Sequence, residues 1–421
     1  MDTVKKRLLW VSHMVPYPPK AGLLNRSYNI IRELSEIYDI DLYCLNQENL
    51  ITPYFDSFEQ GLTKAKDELS KYCSSLYIEP DPVRVSSFSK MILTFKSLFS
   101  TKPYSTEWLN RKSFANQIKA IRDSQDYDYI YVDSISLISN VESQRYTHEK
   151  LILGHHNIES EMIRRRSERT KNLLLKFIFY IEYLKLKRLE RIASLEFDRQ
   201  IVCSAEDSEL LGISTGYRDH FVVPNGFDFR LLDGFCRAPK LNHLLFIGTM
   251  DWYPNVDAVR YFLNEVWPNL KQQRPEVIID VIGSKPPADL VELSKSDPSV
   301  KIRGFVQDIE PYLAQASVFV CPIRDGGGTK LKLIEAFAHK IPCVVDPISC
   351  EGIKVDDRHV KFAQNPDAFV EGIKALLDNR KMADQMSERA YQIAEAQYSY
   401  KVIADVFSQS LESMETEECV A

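Results

Sequence analysis

Residues 322–338, PIRDGGGTKLKLIEAFA, gather groups suited to holding an anion. Three consecutive glycines, Gly326, Gly327 and Gly328, separate a strand-like run, SVFVCP, from a helix-like run, LKLIEAFA. Without side chains, glycines let backbone N–H groups lie close to a bound group. A helix start adds unpaired N–H donors and a partial positive charge. Thr329 is placed to cap that helix. Lys330 and Lys332 fall in its first turn, where the helix dipole disfavours cations, and a bound phosphate would remove the misfit. The two lysines point to different sides, and Lys332 shares a face with Glu335. Asp325 stands just before the glycines.

Other polar groups follow apolar runs in the same way. His13 ends the first run, and the loop PYPPKAG then leads through Gly22 to a helical pattern for which Asn25 is the expected cap. Arg26 lies in that helix's first turn, either as a cleft contact or as a solvated arginine. The run LILG ends in His155 and His156, followed by Asn157 and Glu159; one histidine could hydrogen-bond a substrate hydroxyl. FIGTMDWYPN carries Gly248, then Trp252 and Tyr253, which either pack under the loop or wall a site, and Asn255, an expected helix cap. SCEGI adds Glu351 and Gly352 after another run. Asp39 and Asp41 lie inside a run and read as structural, so no metal is expected.

Apolar runs at 7–15, 39–45, 74–80, 127–134, 150–157, 199–205 and 220–225 read as strands with helical patterns between most of them. A second series follows at 243–248, 277–283, 300–305, 317–322 and 342–347. Such alternation specifies α/β architecture, here two doubly wound parallel-sheet Rossmann-like domains, with ligands at the carboxyl ends of strands. The expected division is 1–224 and 225–398, one domain per series. Residues 399–421 are expected to form a helix packing back on the first domain, with a frayed tail. Residues 84–125 are poorly patterned, and MILTFKSLFSTKPYS reads as a packed helix or as a surface meeting membrane or an apolar acceptor. Residues 158–197 read as one long helix whose basic part, 161–191, could contact an anionic membrane peripherally.

The net charge of −6 excludes a general nucleic-acid binder. Eight scattered cysteines, mostly in apolar runs, read as reduced core thiols and point to the cytoplasm. The N-terminus reads as a first strand rather than a signal peptide, and no run of about 18 apolar residues is present to span a bilayer.

Taken in order, these segments resemble glycosyltransferase family 4, retaining enzymes that use nucleotide sugars and have the GT-B fold. The resemblance rests on SHMVPYPPKAGLLNRSYNIIREL, HHNIES, VPNGFD, FIGTMDWYPNVDA, RGFVQD and GGGTKLKLIEAFAHKIPCVV with SCEGI after it. It covers nearly the whole chain, most strongly 241–353 and least 46–126. It implies two domains facing a central cleft, 1–224 on the acceptor side and 225–398 binding the nucleotide sugar. Glu335 matches the second glutamate of the family's Glu-x7-Glu motif, which binds the donor ribose; a carboxylate accepts from both hydroxyls of a diol. The Gly22 loop matches one that approaches the donor phosphates. His156, or His155, matches a histidine contacting the transferred sugar, and Asn225 with Gly226 matches the hinge.

Two positions depart from the family. Gly327 stands where the motif's first glutamate would be, leaving its role to glycine N–H groups helped by Asp325. GTMDWYPN replaces the usual Arg and Lys, leaving Lys332, or else Lys330, to supply that charge; a branch of the family carries this same pattern. The resemblance thus implies transfer of a hexosyl unit from a UDP- or GDP-linked sugar, with no cofactor required, to a glycan or lipid-linked acceptor in bacterial surface-polysaccharide assembly. His156, His155, Asp325 and Lys332 form its expected catalytic set. Gly22, Gly248, the three glycines, Thr329, Lys330, Glu335, Glu351 and Gly352 form its donor set. His13, Arg26, Asn157, Trp252 and Asn255 complete the cleft. Two rivals stay open: a sugar-nucleotide epimerase or hydrolase on the same architecture, and a non-catalytic sugar-nucleotide or glycan-binding partner.

Overall fold

The structure is a computed structural model. It describes residues 5–20, 22–80, 97, 99–141, 148–217, 220–250, 252–325 and 329–418. The chain forms two compact units, one of residues 1–224 with 403–421, the other of residues 225–402.

The first unit is built on seven strands: β1 (Lys6–Ser12), β2 (Tyr38–Cys44), β3 (Ser75–Ile78), β4 (Tyr129–Val132), β5 (Lys150–His155), β6 (Arg199–Val202) and β7 (His220–Val222). All pairings are parallel, in the order β3-β2-β1-β4-β5-β6-β7. Leu8, Leu9, Trp10 and Val11 of β1 are buried without alternation, as expected of a central strand covered on both faces. The last helix, Tyr400–Glu418, contributes to this unit from Ile403 onward. Its Phe407 stacks on Trp10 at 5.7 Å and meets Tyr131 edge-on at 5.1 Å, and the Tyr38 hydroxyl lies 2.8 Å from Ser408 Oγ.

The second unit holds β8 (His243–Ile247), β9 (Ile278–Ile282), β10 (Val300–Gly304), β11 (Val318–Cys321), β12 (Cys343–Val345) and β13 (Lys361–Phe362). These pair in parallel in the order β10-β9-β8-β11-β12-β13. In each sheet the strand order reverses direction once, between β1 and β4 and between β8 and β11. Ligands of doubly wound sheets bind beside that reversal, at the carboxyl ends.

The twelve runs read as strands are strands. The thirteenth, β13, has two half-buried residues, too few to show a period. The stretch 158–197 is not one helix but two, Glu159–Arg169 and Leu173–Glu196. Asn172 starts the second by accepting from the Leu175 N–H at 3.0 Å. Arg166 lies over the Phe179 ring and Ser167 Oγ bonds the Lys176 carbonyl, so the two helices run antiparallel.

Three expected caps also lie elsewhere. Asn25 sits inside the helix Gly22–Leu34, which starts three residues earlier because Leu24 already belongs to its buried face. Asn255 lies inside the helix Tyr253–Tyr261, which Pro254 opens with its preset φ. Thr329 precedes Lys330, the true cap position of the helix Leu331–Ala338. Gly326, Gly327, Gly328 and residues 91–96 and 98 of MILTFKSLFSTKPYS lie outside the described residues. Asp41 is buried and accepts from the Tyr127 hydroxyl, and both Asp39 and Asp41 pair with Arg7, so these carboxylates serve the sheet. Six of the seven described cysteines are buried, with Cys236 exposed, and all are free thiols.

Candidate active site

In the second unit, chemistry collects at the ends of β8 and β11. The chain leaves β8 through Gly248, and a Cβ there would lie 2.6 Å from Lys332 Nζ and 2.8 Å from the Asn255 side chain. Glycine at 248 therefore makes room for both. Lys332 Nζ donates to Asn255 Oδ1 at 2.5 Å and lies 4.8 Å from the centre of the Phe246 ring. Asn255 Nδ2 in turn donates to the Thr249 carbonyl at 2.8 Å, which fixes the amide. The lysine from the 331–338 helix is thereby carried to the strand end where FIGTMDWYPN has no cation of its own.

Glu335, one turn on, shares that face and interacts electrostatically with Lys332. Burial raises its carboxyl to about 7, and Lys332 pulls the other way. Burial lowers Lys332 to about 8. Among the described residues the Glu335 carboxylate accepts no hydrogen bond. At the start of the same helix no side chain caps the first N–H groups, and Thr329 Oγ1 is buried without a partner. Three groups at one strand edge, an amide-held ammonium, an open carboxylate and an uncapped helix start, can together receive a phosphate and a polyol.

In the first unit, the ends of β1, β4 and β5 meet around Asp133. This carboxylate is fully buried and accepts from Ser12 Oγ at 3.2 Å, Ser27 Oγ at 2.8 Å and His156 Nε2 at 2.9 Å. Burial opposes charge on His156, but Asp133 overrides it and raises the imidazole to about 9. His156 is therefore a cation at neutral pH, a hydrogen-bond donor and not a base. The His13 ring centre lies 6.3 Å away; burial lowers its pKa to about 4, so it stays neutral, and its Nδ1 has no partner.

His155 does not join this group. Alternation along β5 turns it to the other face, where it is buried against Gln200 at 2.7 Å and lowered by burial to about 4. Arg26 is neither solvated nor open: it is buried and donates to the Val223 and Pro224 carbonyls at 2.8 and 2.7 Å. Gly22 opens its helix, and Asn157 is exposed beside His156. Trp252 and Tyr253 are each about half exposed, so the packed reading of both gives way. Asp325 is half-buried beside the undescribed glycines, and Lys330 is half-buried with its charge reaching Lys332. Glu351 is exposed, and Gly352, at φ +76°, offers its carbonyl to the Tyr398 hydroxyl at 2.8 Å. Asp133 escaped the reading of the sequence. Its signal was a lone carboxylate directly after four buried strand residues, YIYV.

The two parallel-sheet units have the GT-B fold, shared with solved structures across nearly the whole chain. Sucrose-phosphate synthase from Thermosynechococcus elongatus superposes with a TM-score of 0.67 at 15% identity, covering 98% of this chain and 100% of that one. TarM gives 0.67 at 11% identity over 98% and 100%. HepE from Anabaena, solved with UDP and glucose, gives 0.57 at 13% identity over 97% and 100%. Residues 242–379 match the family model described as glycosyl transferases group 1. An uncharacterized 44.6 kDa protein in the cps region of Klebsiella pneumoniae is 19% identical over 416 residues, covering 96% of this chain and all of that protein. The matched segment contains Gly248, Asn255, Lys332 and Glu335, and with the fold it supports a glycosyltransferase.

Proposed function

We propose that this chain is a retaining glycosyltransferase that moves a hexosyl unit from a nucleoside diphosphate sugar to a hydroxyl of a glycan or lipid-linked acceptor. The observation that carries the reading is the Lys332–Glu335 face, with Lys332 held by Asn255 at the Gly248 strand end. Glu335, ionised, accepts from the two ribose hydroxyls. Lys332 and the uncapped helix start face the diphosphate. UDP in the HepE structure and a UDP complex of TarM from S. aureus support a uridine donor. The relative in the cps region supports a place in bacterial surface-polysaccharide assembly.

In the reaction, the acceptor oxygen bonds to the anomeric carbon as the bond from that carbon to the diphosphate oxygen breaks. The acceptor proton passes to the departing phosphate. Charge grows on the leaving group, where a fixed lysine and backbone donors lower the barrier. The family resemblance supports same-face attack. The sequestration of Asp133 by three donors agrees with it, because that carboxylate is in no position to act as a nucleophile. Protonated His156 is suited to donate to a sugar hydroxyl.

Incubation with a panel of UDP- and GDP-sugars and hydroxyl acceptors, with products read by NMR, tests this. Acceptor-dependent release of nucleoside diphosphate with retained configuration is expected. Epimerised or hydrolysed donor with no acceptor product would sink the transferase reading.

A further inference from the structure

The helix Leu173–Glu196 leaves one face uncovered. Leu173, Phe177, Tyr180 and Leu184 recur every three or four residues, and Arg188 and Arg191 continue the same line. All six are exposed, from 82% at Leu173 to 44% at Leu184 among the apolar four. Of the helix's acids, Glu182 and Glu190 are turned inward, and Glu196, half-buried at the last position, falls off the line by its spacing of five from Arg191. Glu182 accepts from the Tyr104 N–H, and Glu190, fully buried, accepts from the Ser160 N–H and hydroxyl at 3.0 and 2.6 Å. The exposed line therefore carries cations and no carboxylate. Arg188 and Arg191 have no ion pair among the described residues. The preceding helix differs: Arg164 and Arg165 are spent on Glu161 at 2.7 Å each. The charge that looked spread over 161–191 is thus partly cancelled on the first helix.

We infer that this face docks on an anionic lipid surface. Charge complementarity selects the occupant: a cation-only face on a chain of net charge −6 is a local reversal, and anionic lipid complements it. The apolar half can sink to the acyl boundary with Tyr180 at headgroup level, while Arg188 and Arg191 meet the headgroups. Among the described residues no helix is long and apolar enough to cross a membrane, so the contact is a lying one.

The full chain should be sedimented with vesicles of phosphatidylcholine alone and with about a third phosphatidylglycerol, without sugar nucleotide. Binding only to the anionic vesicles is expected, weakening between roughly 0.1 and 0.5 M salt. R188E/R191E should weaken partition by about twentyfold or more, at about fivefold per cation lost. F177S/L184S should weaken it about tenfold or more. Because these side chains are exposed, circular dichroism and melting should stay as in the wild type. No sedimentation of the wild type, or variants that bind unchanged, would overturn the inference. So would concentration-dependent self-association that F177S/L184S abolishes while vesicles are ignored, which would give the face to a second copy. The readout is separate from glycosyl transfer, so either reading can fail alone.

Discussion

Glu335 and Lys332 are both moved toward neutrality by burial, the carboxyl up to about 7 and the ammonium down to about 8. Glu335 is ionised above the first value and Lys332 is protonated below the second, so the doubly charged face is most populated between them. For the free enzyme this predicts a bell-shaped kcat/KM with limbs near 7 and 8. Glu335→Gln should erase the acidic limb and lower kcat/KM roughly 10–100-fold, the worth of the charged hydrogen bonds proposed to the ribose. Lys332→Met keeps the volume, should erase the alkaline limb, and should slow kcat about 100-fold or more with little change in donor affinity. Initial rates across pH for the three proteins check this; a profile that keeps both limbs in both variants would remove the pair from the reaction. The face that Lys332 shares with Glu335 was legible, because residues three apart on a helix lie on one face. The meeting of Lys332 with Asn255 was not, since it links residues 77 apart and depends on Gly248 clearing the way.

At the scale of elements, uninterrupted apolar runs gave away the strands, because a parallel strand covered on both faces has no polar alternation to blur it. Helix ends were harder. Asn25, Asn255 and Thr329 each fit a cap by type, yet burial of Leu24, the preset φ of Pro254 and the position of Lys330 moved the true starts. The break at Asn172 was hidden by apolar and basic residues continuing on both sides. Neighbouring strands also explain the Asp133–His156 pair. β4 and β5 are adjacent and parallel, so residues just past their ends stand side by side. Histidine titration by NMR should place His156 near 9, and Asp133→Asn should drop it well below that, because burial is then opposed only by Cys203. The sign for stability follows. The raised histidine contributes fully below 6.5 and loses its contribution as pH rises through about 9. Asp133, held below its ordinary 3.8 despite burial by His156 and its other donors, contributes above 3.8 and loses it as pH falls further. The variant's deficit should therefore be largest between about pH 4 and 6.5 and shrink toward pH 9 and above.

On the scale of the whole molecule, residues 403–418 belong to the same unit as β1, and the helix Tyr400–Glu418 packs into the core that β1 occupies. Phe407, fully buried, anchors that packing through Trp10 of β1 and Tyr131 of β4. Truncating it to alanine should cost about 3–5 kcal/mol through lost burial and a cavity. The loss belongs to the first unit, whose sheet it backs, and not to the β8–β13 sheet, which has its own core of residues such as Phe246, Phe319 and Phe337. Hydrogen exchange followed by mass spectrometry separates the two. In Phe407→Ala, amides of β1 and β4 should exchange faster by about two to three and a half orders of magnitude, matching that energy at about 1.4 kcal/mol per tenfold. Amides of β8 and β11 should keep their protection. Equal loss in both sheets would mean that the units unfold together, and unchanged exchange in β1 would mean that the last helix does not support the first strand.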